Sequence, residues 1–364
     1  PIRIISFVFI LFLTLPGLTG AGALAAQAAA PSPARQSPPT EAQRNDASIP
    51  PLVGGSPATP KPAVFAPRGA VNPGTRFQAS PNAPAITLWY GPTQTFGPNG
   101  DPQKWINIVG NVTSAVSLTY SLNGGPAKVL AIGPDDSRLS RGGDFNIDLD
   151  YIDLNAGNNT GTITATDSLS VTTQAVVTVN YQARPGTWTP GTYTIDWSTA
   201  NQINDVAQVV DGNWMISGGS ARPVSSAATG FDRLIAIGDM SWRDYTVSVP
   251  VTVHSMEDNK SPGVGMIVRW WGHFDNGTGR QPFVGWRRLG AMAWYRYDKV
   301  TATEGLQLLG DGGTTLGTKG FSLTLGTTYM YKVSVTSNAD PKKPATYRVK
   351  VWPQAQTEPA AWDF

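Results

Sequence analysis

A strip rich in aromatic and basic residues lies in the last third of the sequence, and it holds the side chains best suited to binding a ligand. Strict alternation puts the apolar residues Met266, Val268 and Trp270 on one side of a strand, and we expect that side to face a core. Arg269 and Trp271 then stand together on the opposite, accessible side. The alternation therefore predicts a cation and a flat aromatic ring on one surface.

Further candidates come from two other predicted strands. In the segment 291–297, alternation puts Tyr295 and Tyr297 on one side with two alanines. The small residues would form the floor of a groove, and the aromatic rings would form its walls. Trp286 precedes this segment on what we expect to be the neighbouring strand, and His254 ends a predicted strand at 244–254. The predicted binding residues are Arg269, Trp271, Trp286, Tyr295, Tyr297 and His254.

These residue types indicate that the ligand is a carbohydrate. A sugar ring has apolar C–H patches on its faces and hydroxyls around its rim, so a shallow site needs flat rings and planar donors such as arginine. Each stacked ring contributes about 1 kcal/mol by analogy with aromatic pairs. The alternative is that these aromatic side chains are ordinary core residues of a β protein.

Metal and nucleotide sites find little support in the sequence. There are two histidines and no cysteines, so no thiolate zinc site or disulfide can form. Asp148, Asp150 and Asp153 suggest a calcium site, but they lack the glycine of a calcium loop, and alternation makes Asp148 and Asp150 solvent-facing. We therefore predict no cofactor and no metal ligand; calcium stays possible without a motif. The glycine-rich segment 310–313 reads as a hairpin loop.

Composition indicates a turn-rich, all-β protein. The 364 residues include 39 glycines and 30 prolines, and only 14% are charged. The net charge of +2 gives no field that would favour nucleic acid as a partner.

The first 84 residues indicate an export signal followed by a linker to the folded part of the chain. An apolar run from Ile4 to Leu15 follows Arg3, and small residues suited to cleavage come after it, so we predict a signal peptide at 1–28. The run is shorter than the roughly 20 residues that span a bilayer, so the mature chain has no predicted membrane span. Residues 29–84 are rich in Pro, Ala and Ser and predict a disordered linker. We expect a secreted, extracellular protein with possible cell-surface association.

Residues 85–183 alternate in short runs separated by turns. Asn123 and Gly124 favour the positive φ angles of a hairpin turn. The segments 120–125 and 154–167 resemble the strands and corner of bacterial immunoglobulin-like domains, in the branch that lacks a disulfide. The resemblance implies an immunoglobulin-like β-sandwich and no particular activity.

Residues 186–364 have longer alternating strands joined by glycine-rich loops, which favours a double-sheet jelly roll. The segments that resemble a concanavalin A-like (laminin G-like) jelly roll are 205–214, 232–238, 242–247, 263–271 and 347–352. That family includes lectins, adhesion modules, glycosidases and polysaccharide lyases. The sequence begins with Pro1 and ends before the closing strand that the family leads us to expect. We therefore expect a fragment whose last strand is left with an unpaired edge.

The resemblance leaves the choice between a lectin and an enzyme open. Laminarinase-like relatives carry paired carboxylates on one strand, whereas Glu257, Glu304 and Glu358 all fall in predicted loops or turns. A lyase would need a tyrosine or histidine base beside an arginine, for which Arg269 and Tyr295 are candidates. We favour a non-catalytic, lectin-like protein that binds a polysaccharide or glycan. The alternatives are a polysaccharide lyase or glycoside hydrolase, and an adhesion module that binds a protein.

Overall fold

The structure is a computed structural model, and it describes residues 83–364 apart from 136, 184–190, 225–231, 257–260, 286–288, 299–300 and 341. The predicted signal peptide and nearly all of the predicted linker therefore lie outside the described residues. The described chain is all-β, with nineteen strands and only three-residue 3-10 helices. Within these residues, no helix has the length and apolar character needed to cross a membrane.

Eight strands form the part of the chain that we call the first lobe (residues 85–181). They are β1 (Ala85–Leu88), β2 (Thr93–Phe96), β3 (Trp105–Thr113), β4 (Ser117–Leu122), β5 (Lys128–Leu130), β6 (Asp144–Asp150), β7 (Gly157–Thr166) and β8 (Thr172–Tyr181), with a 3-10 helix at Tyr151–Asp153. One sheet has the order β1-β3-β6 and the other β2-β8-β7-β4-β5, with β2 parallel to β8. Both sheets contribute to one apolar core, which includes Ile106, Phe145, Ile163 and Val179.

The turn after β4 confirms the expectation for its Asn-Gly pair. Asn123 and Gly124 both have positive φ, 51° and 73°. Asparagine and glycine tolerate this region better than other residues, and the chain reverses there to start β5.

The remaining strands form the second lobe (residues 191–364). They are β9 (Gln208–Asp211), β10 (Trp214–Ser217), β11 (Ser220–Pro223), β12 (Leu234–Ala236), β13 (Tyr245–Thr252), β14 (Gly263–Val268), β15 (Ala291–Asp298), β16 (Thr303–Gly310), β17 (Thr315–Gly320), β18 (Thr328–Thr336) and β19 (Thr346–Pro353). The 3-10 helices here are Ile203–Asp205 and Asp311–Gly313, and the second of these connects β16 to β17 as predicted. Glu304 lies in β16, so its predicted place in a loop was wrong.

Two sheets enclose the main core of the second lobe. One has the order β13-β18-β19 and the other β14-β15-β16-β17. Their inner faces share a core that includes Val249, Tyr331, Met266 and Leu308, and two first-lobe residues, Tyr90 and Val109, join it. All the described residues belong to one compact unit.

The outer face of the four-stranded sheet is covered, contrary to the expected open surface. Ile267, Met292 and Trp294 point outward from that sheet into a second apolar cluster, where they meet Val210 of β9 and Leu234 of β12. Since β9 and β12 pair with each other, they form a small sheet over the larger one. The alternation detected the strand but could not show that both of its faces are buried.

Strand β6 is also buried on both faces. Its apolar residues enter the first-lobe core, and its acidic face, predicted to be solvated, packs against the second lobe. Asp148 is 2% exposed and pairs with buried Arg138 at 2.9 Å, so its predicted exposure was wrong. The prediction failed because β6 was treated as belonging to an isolated sandwich.

The end of the chain lies along β19. Asp363 and Phe364 exchange backbone hydrogen bonds with Val349, and the Asp363 carboxylate accepts one from the Val351 N–H at 2.8 Å. The edge expected to be unpaired is therefore partly covered.

Candidate functional site

A sharp change of backbone direction at Arg269 creates the candidate site. Strand β14 ends at Val268, and Arg269 has φ of 52°, which is unusual for a residue with a side chain. This conformation interrupts the alternation. Trp270 was predicted to enter the main core with Met266. It instead joins the second apolar cluster beside Ile267. Trp271 is 59% exposed.

Hydrogen bonds hold Arg269 in this conformation. Its backbone N–H donates to the Tyr245 hydroxyl at 2.9 Å, and its Nε donates to the Arg243 carbonyl at 3.0 Å. A terminal guanidinium nitrogen donates to the Ser337 hydroxyl at 2.7 Å, and the Asp244 carboxylate lies 3.8 Å away. The predicted binding arginine is therefore largely committed to joining the end of β14 to the start of β13.

A cavity of about 110 Å³ opens beside this kink. It is lined by Pro102, Ile237, Asp239, Met240, Trp242, Arg243, Tyr245, Val247, Met266, Ile267, Val268, Arg269, Trp270 and Trp271. Met240 and Trp271 are exposed apolar side chains, and Arg243 is also exposed. The cavity is smaller than the roughly 300–1,000 Å³ of pockets that enclose a drug-sized ligand, so it suits one ring or one substituent of a larger molecule.

The first lobe supports one wall of the cavity. The Lys104 N–H donates to the Trp271 carbonyl at 3.1 Å, and the Met240 N–H donates to the Asp101 carbonyl at 2.9 Å. Gly272 approaches the same loop so closely that a Cβ there would lie 2.7 Å from the side-chain oxygen of Gln103. Residues 101–104 thus fix both sides of the cavity mouth.

Asp239 is the carboxylate of this cavity, and it organises the loop before β13. One oxygen accepts hydrogen bonds from the Ser241 N–H at 2.9 Å, and the other accepts one from the Asp101 N–H at 3.2 Å. Its oxygens are thus already used by backbone donors. This arrangement leaves the exposed Arg243 as the group better placed to meet a polar ligand.

Three of the other predicted residues, Tyr295, Tyr297 and His254, lie away from this cavity. Tyr295 is 1% exposed in the main core, where its hydroxyl donates to Glu304; burial and this bond raise its pKa. Its assignment to an open groove was wrong. Tyr297 is half-buried beside the start of β14, where its N–H donates to the Pro262 carbonyl. His254 is exposed beyond the end of β13, and Trp286 lies outside the described residues.

These placements divide the candidates between two ends of the second lobe. The bond from Arg269 to Tyr245 shows that the end of β14 meets the start of β13. His254 and Tyr297 lie at the opposite ends of those strands, about 20 Å away at 3.4 Å per residue. Among the predicted residues that the structure describes, only Arg269 and Trp271 line the cavity.

Trp242, Arg243 and Met240 were missed as candidate binding residues. Trp242 and Arg243 directly precede β13, and the sequence analysis used them only as part of a fold resemblance. Their Trp-Arg order is the one signal that could have identified them. Their approach to Trp271 depends on pairing between distant segments, which no local pattern reports.

No model of a known protein family matches the chain, and no curated protein sequence is significantly similar to it. The functional argument therefore depends on the residues of this chain.

Proposed function

We propose that this chain is a secreted, non-catalytic carbohydrate-binding protein, and that its binding site is the cavity between Trp242 and Trp271. The observation that carries the proposal is the exposed Trp271 ring at the mouth of an apolar cavity, beside the exposed side chain of Arg243. A flat ring stacks on a sugar face, and a guanidinium donates to its hydroxyls or to an acidic substituent.

Export is proposed from the N-terminal sequence alone. The apolar run and the small residues after it support a signal peptide at 1–28, and the Pro-rich segment at 29–84 supports a linker. A tether of this kind suits a weak site, because several copies on one surface bind a polymer more tightly than one copy does.

We propose that the first lobe is an immunoglobulin-like sandwich that supports the binding lobe. The strand orders β1-β3-β6 and β2-β8-β7-β4-β5 favour this assignment, as does the parallel pairing of β2 with β8. They match the A-B-E and A′-G-F-C-C′ orders of such a sandwich.

We assign the second lobe to the concanavalin A-like jelly rolls. Two facing antiparallel sheets of three and four strands support that assignment. A jelly roll alone is compatible with many activities, so the function depends on the cavity and not on the fold.

A glycan-binding screen of the mature chain tests the function. We expect millimolar to high-micromolar binding of one class of oligosaccharide, measured by calorimetry or ligand-observed NMR. Trp271→Ala should weaken it about fivefold to tenfold, as expected for the loss of roughly 1 kcal/mol of stacking. Leu316→Ala is the matched control, since Leu316 is a 56% exposed apolar residue outside the cavity.

Two results would reject the proposal. One is the absence of binding to any glycan at millimolar concentration. The other is binding that Trp271→Ala leaves unchanged, which would place the site elsewhere. Cleavage of the bound oligosaccharide would instead identify an enzyme, although Tyr295 and Arg269 lie too far apart to share the catalytic step first considered for them.

A further inference from the structure

A group of two carboxylates and one imidazole lies away from the cavity, where the two lobes meet; Asp211 and His273 are buried, and Asp232 is half-buried. Asp211 ends β9, Asp232 lies two residues before β12, and His273 follows the kink after β14. Because Leu234 pairs with Asp211 across the small sheet, Asp232 is brought close to Asp211. One ligand atom from each of the three residues lies within 4.8 Å of the others, and His273 Nε2 is 2.8 Å from Asp211 Oδ2.

A buried arginine already pairs with one carboxylate of this group. Asp211 and Asp148 share the guanidinium of Arg138, whose side chain is completely buried. One guanidinium thus serves two carboxylates, and a buried carboxylate is costly unless it is paired or binds a metal ion.

Space for an ion is present beside Asp232, which is half-buried. A small cavity of about 10 Å³ adjoins Asp232, enough for one water or one ion. Arg138, Arg141 and Arg233 also line this cavity.

His273 provides a second, independent observation. Its side chain is 2% exposed, and its Nδ1 has no hydrogen-bond partner among the described residues. A buried ring nitrogen without a partner is uncommon and calls for an explanation. The other ring nitrogen, Nε2, is the one that lies 2.8 Å from Asp211 Oδ2, and an imidazole nitrogen beside two carboxylates is a donor set for a metal ion.

We propose that Asp211, Asp232 and His273 bind one divalent transition-metal ion of the Zn²⁺ or Mn²⁺ class. Their ligand atoms lie within 4.8 Å of one another, which is close enough for one ion to contact all three. The mixed nitrogen and oxygen donors favour these metals over Ca²⁺ and Mg²⁺, which prefer oxygen ligands alone. The sequence analysis predicted no metal ligand because these residues are far apart in the chain.

The ion would join three segments of the second lobe beneath the first lobe. Arg138 and Asn146 of the first lobe both bond to Asp211, with Asn146 Nδ2 at 3.1 Å, and they would orient this ligand from outside the coordination shell. Trp270 packs edge-on against the His273 ring at 5.0 Å. Metal binding would thereby also fix the segment that carries Trp271.

Metal titration of the full mature chain tests this site. After treatment with a chelator, we expect one equivalent of Zn²⁺ or Mn²⁺ to bind in calorimetry at neutral pH and to raise Tm, with Ca²⁺ and Mg²⁺ binding more weakly. Asp232→Asn should weaken Zn²⁺ binding at least about tenfold, as expected for loss of a ligand. Asp275→Asn is the control, because Asp275 is an exposed loop residue near His273 whose hydrogen bonds are all local.

A spectroscopic measurement identifies the nitrogen ligand. The chain has two histidines and no cysteines, so ¹⁴N coupling to bound Mn²⁺ must come from His273 or from the exposed His254 if it comes from an imidazole. We expect His273→Gln to abolish the coupling and His254→Gln to retain it. The proposal is overturned if neither metal binds at millimolar concentration, if Asp232→Asn leaves the affinity unchanged, or if Ca²⁺ binds more tightly than Zn²⁺ and Mn²⁺.

Discussion

The backbone of Arg269 determines where the two tryptophans that follow it lie. A left-handed conformation costs a residue with a Cβ about 1–2 kcal/mol, and here the φ of 52° is held by the bonds that Arg269 makes to Arg243, Ser337 and Tyr245. The Arg269 side chain, which was predicted to bind a ligand, therefore stabilises the backbone conformation of the site. Of the predicted pair Arg269 and Trp271, Trp271 is the residue left to contact a ligand directly.

Substitutions at Arg269 should separate these two effects. Arg269→Ala loses the side-chain bonds and keeps the conformational cost, so we expect the free energy of unfolding to fall by about 2–3 kcal/mol. Arg269→Gly loses the same bonds but accepts a positive φ, and it should be about 1 kcal/mol more stable than the alanine variant. Urea denaturation followed by tryptophan fluorescence measures both. If the alanine variant is as stable as the glycine variant, or more stable, the positive φ angle at this position carries no conformational cost.

At the scale of elements, the close approach of β14 to β15 determines the packing under the cavity. Gly265 faces Trp294 across the pair, and a Cβ at Gly265 would lie 2.1 Å from the Ala293 carbonyl oxygen and 2.4 Å from the Trp294 Cα. Backbone atoms cannot move aside as a flexible side chain can. Glycine is therefore required in this strand for steric reasons.

We predict that Gly265→Ala destabilises the protein by about 3 kcal/mol or more, because the strands must separate to admit the methyl group. Gly320→Ala is the matched control: Gly320 lies in β17 of the same sheet, and a Cβ there would meet nothing within 4 Å. That variant should change the free energy of unfolding by less than about 0.5 kcal/mol. Thermal denaturation distinguishes them, and similar Tm values for the two variants would contradict the steric argument.

The segment along β19 should respond to acid. Hydrogen bonds from Lys332 and Lys350 hold the pKa of Glu358 below its ordinary value of 4.5. The charged form is thus favoured in the folded state, so its stabilisation is present above about pH 4.5 and is lost as the pH falls below that value. Glu358→Gln should lower Tm slightly near pH 7 and not at about pH 3. An equal difference at both pH values would mean that the ion pairs contribute nothing.

Alternation predicted the strands themselves well and their surroundings poorly. The predicted strands at 244–254 and 291–297 agree with β13 and β15 within two residues at each end. Tyr295 was misplaced because alternation does not give register. Tyr295 pairs with Val264, and Ala293 pairs with Met266, so Tyr295 shares the core-facing side once Met266 is assigned to the core. Cross-strand register, the cover formed by β9 and β12, and the cavity depend on contacts between distant residues.

At the scale of the whole molecule, the two lobes are joined by buried polar contacts as well as by apolar packing. The Tyr90 hydroxyl of the first lobe accepts from the Trp214 N–H at 2.7 Å and donates to its carbonyl at 3.1 Å. Arg138 meets Asp148 of its own lobe and Asp211 of the other. These contacts predict that the lobes unfold together.

Arg138→Met tests that coupling. The substitution leaves Asp148 and Asp211 buried without their cation, which should lower the free energy of unfolding by about 3–5 kcal/mol. Calorimetry should show one transition, at lower temperature, for both lobes. Arg141→Met is the control, because the Arg141 side chain is 42% exposed and its pair with Asp144 should contribute only about 0–1 kcal/mol. Equal losses in the two variants, or a separate transition for one lobe in the unmodified protein, would show that the buried cation does not hold the lobes together.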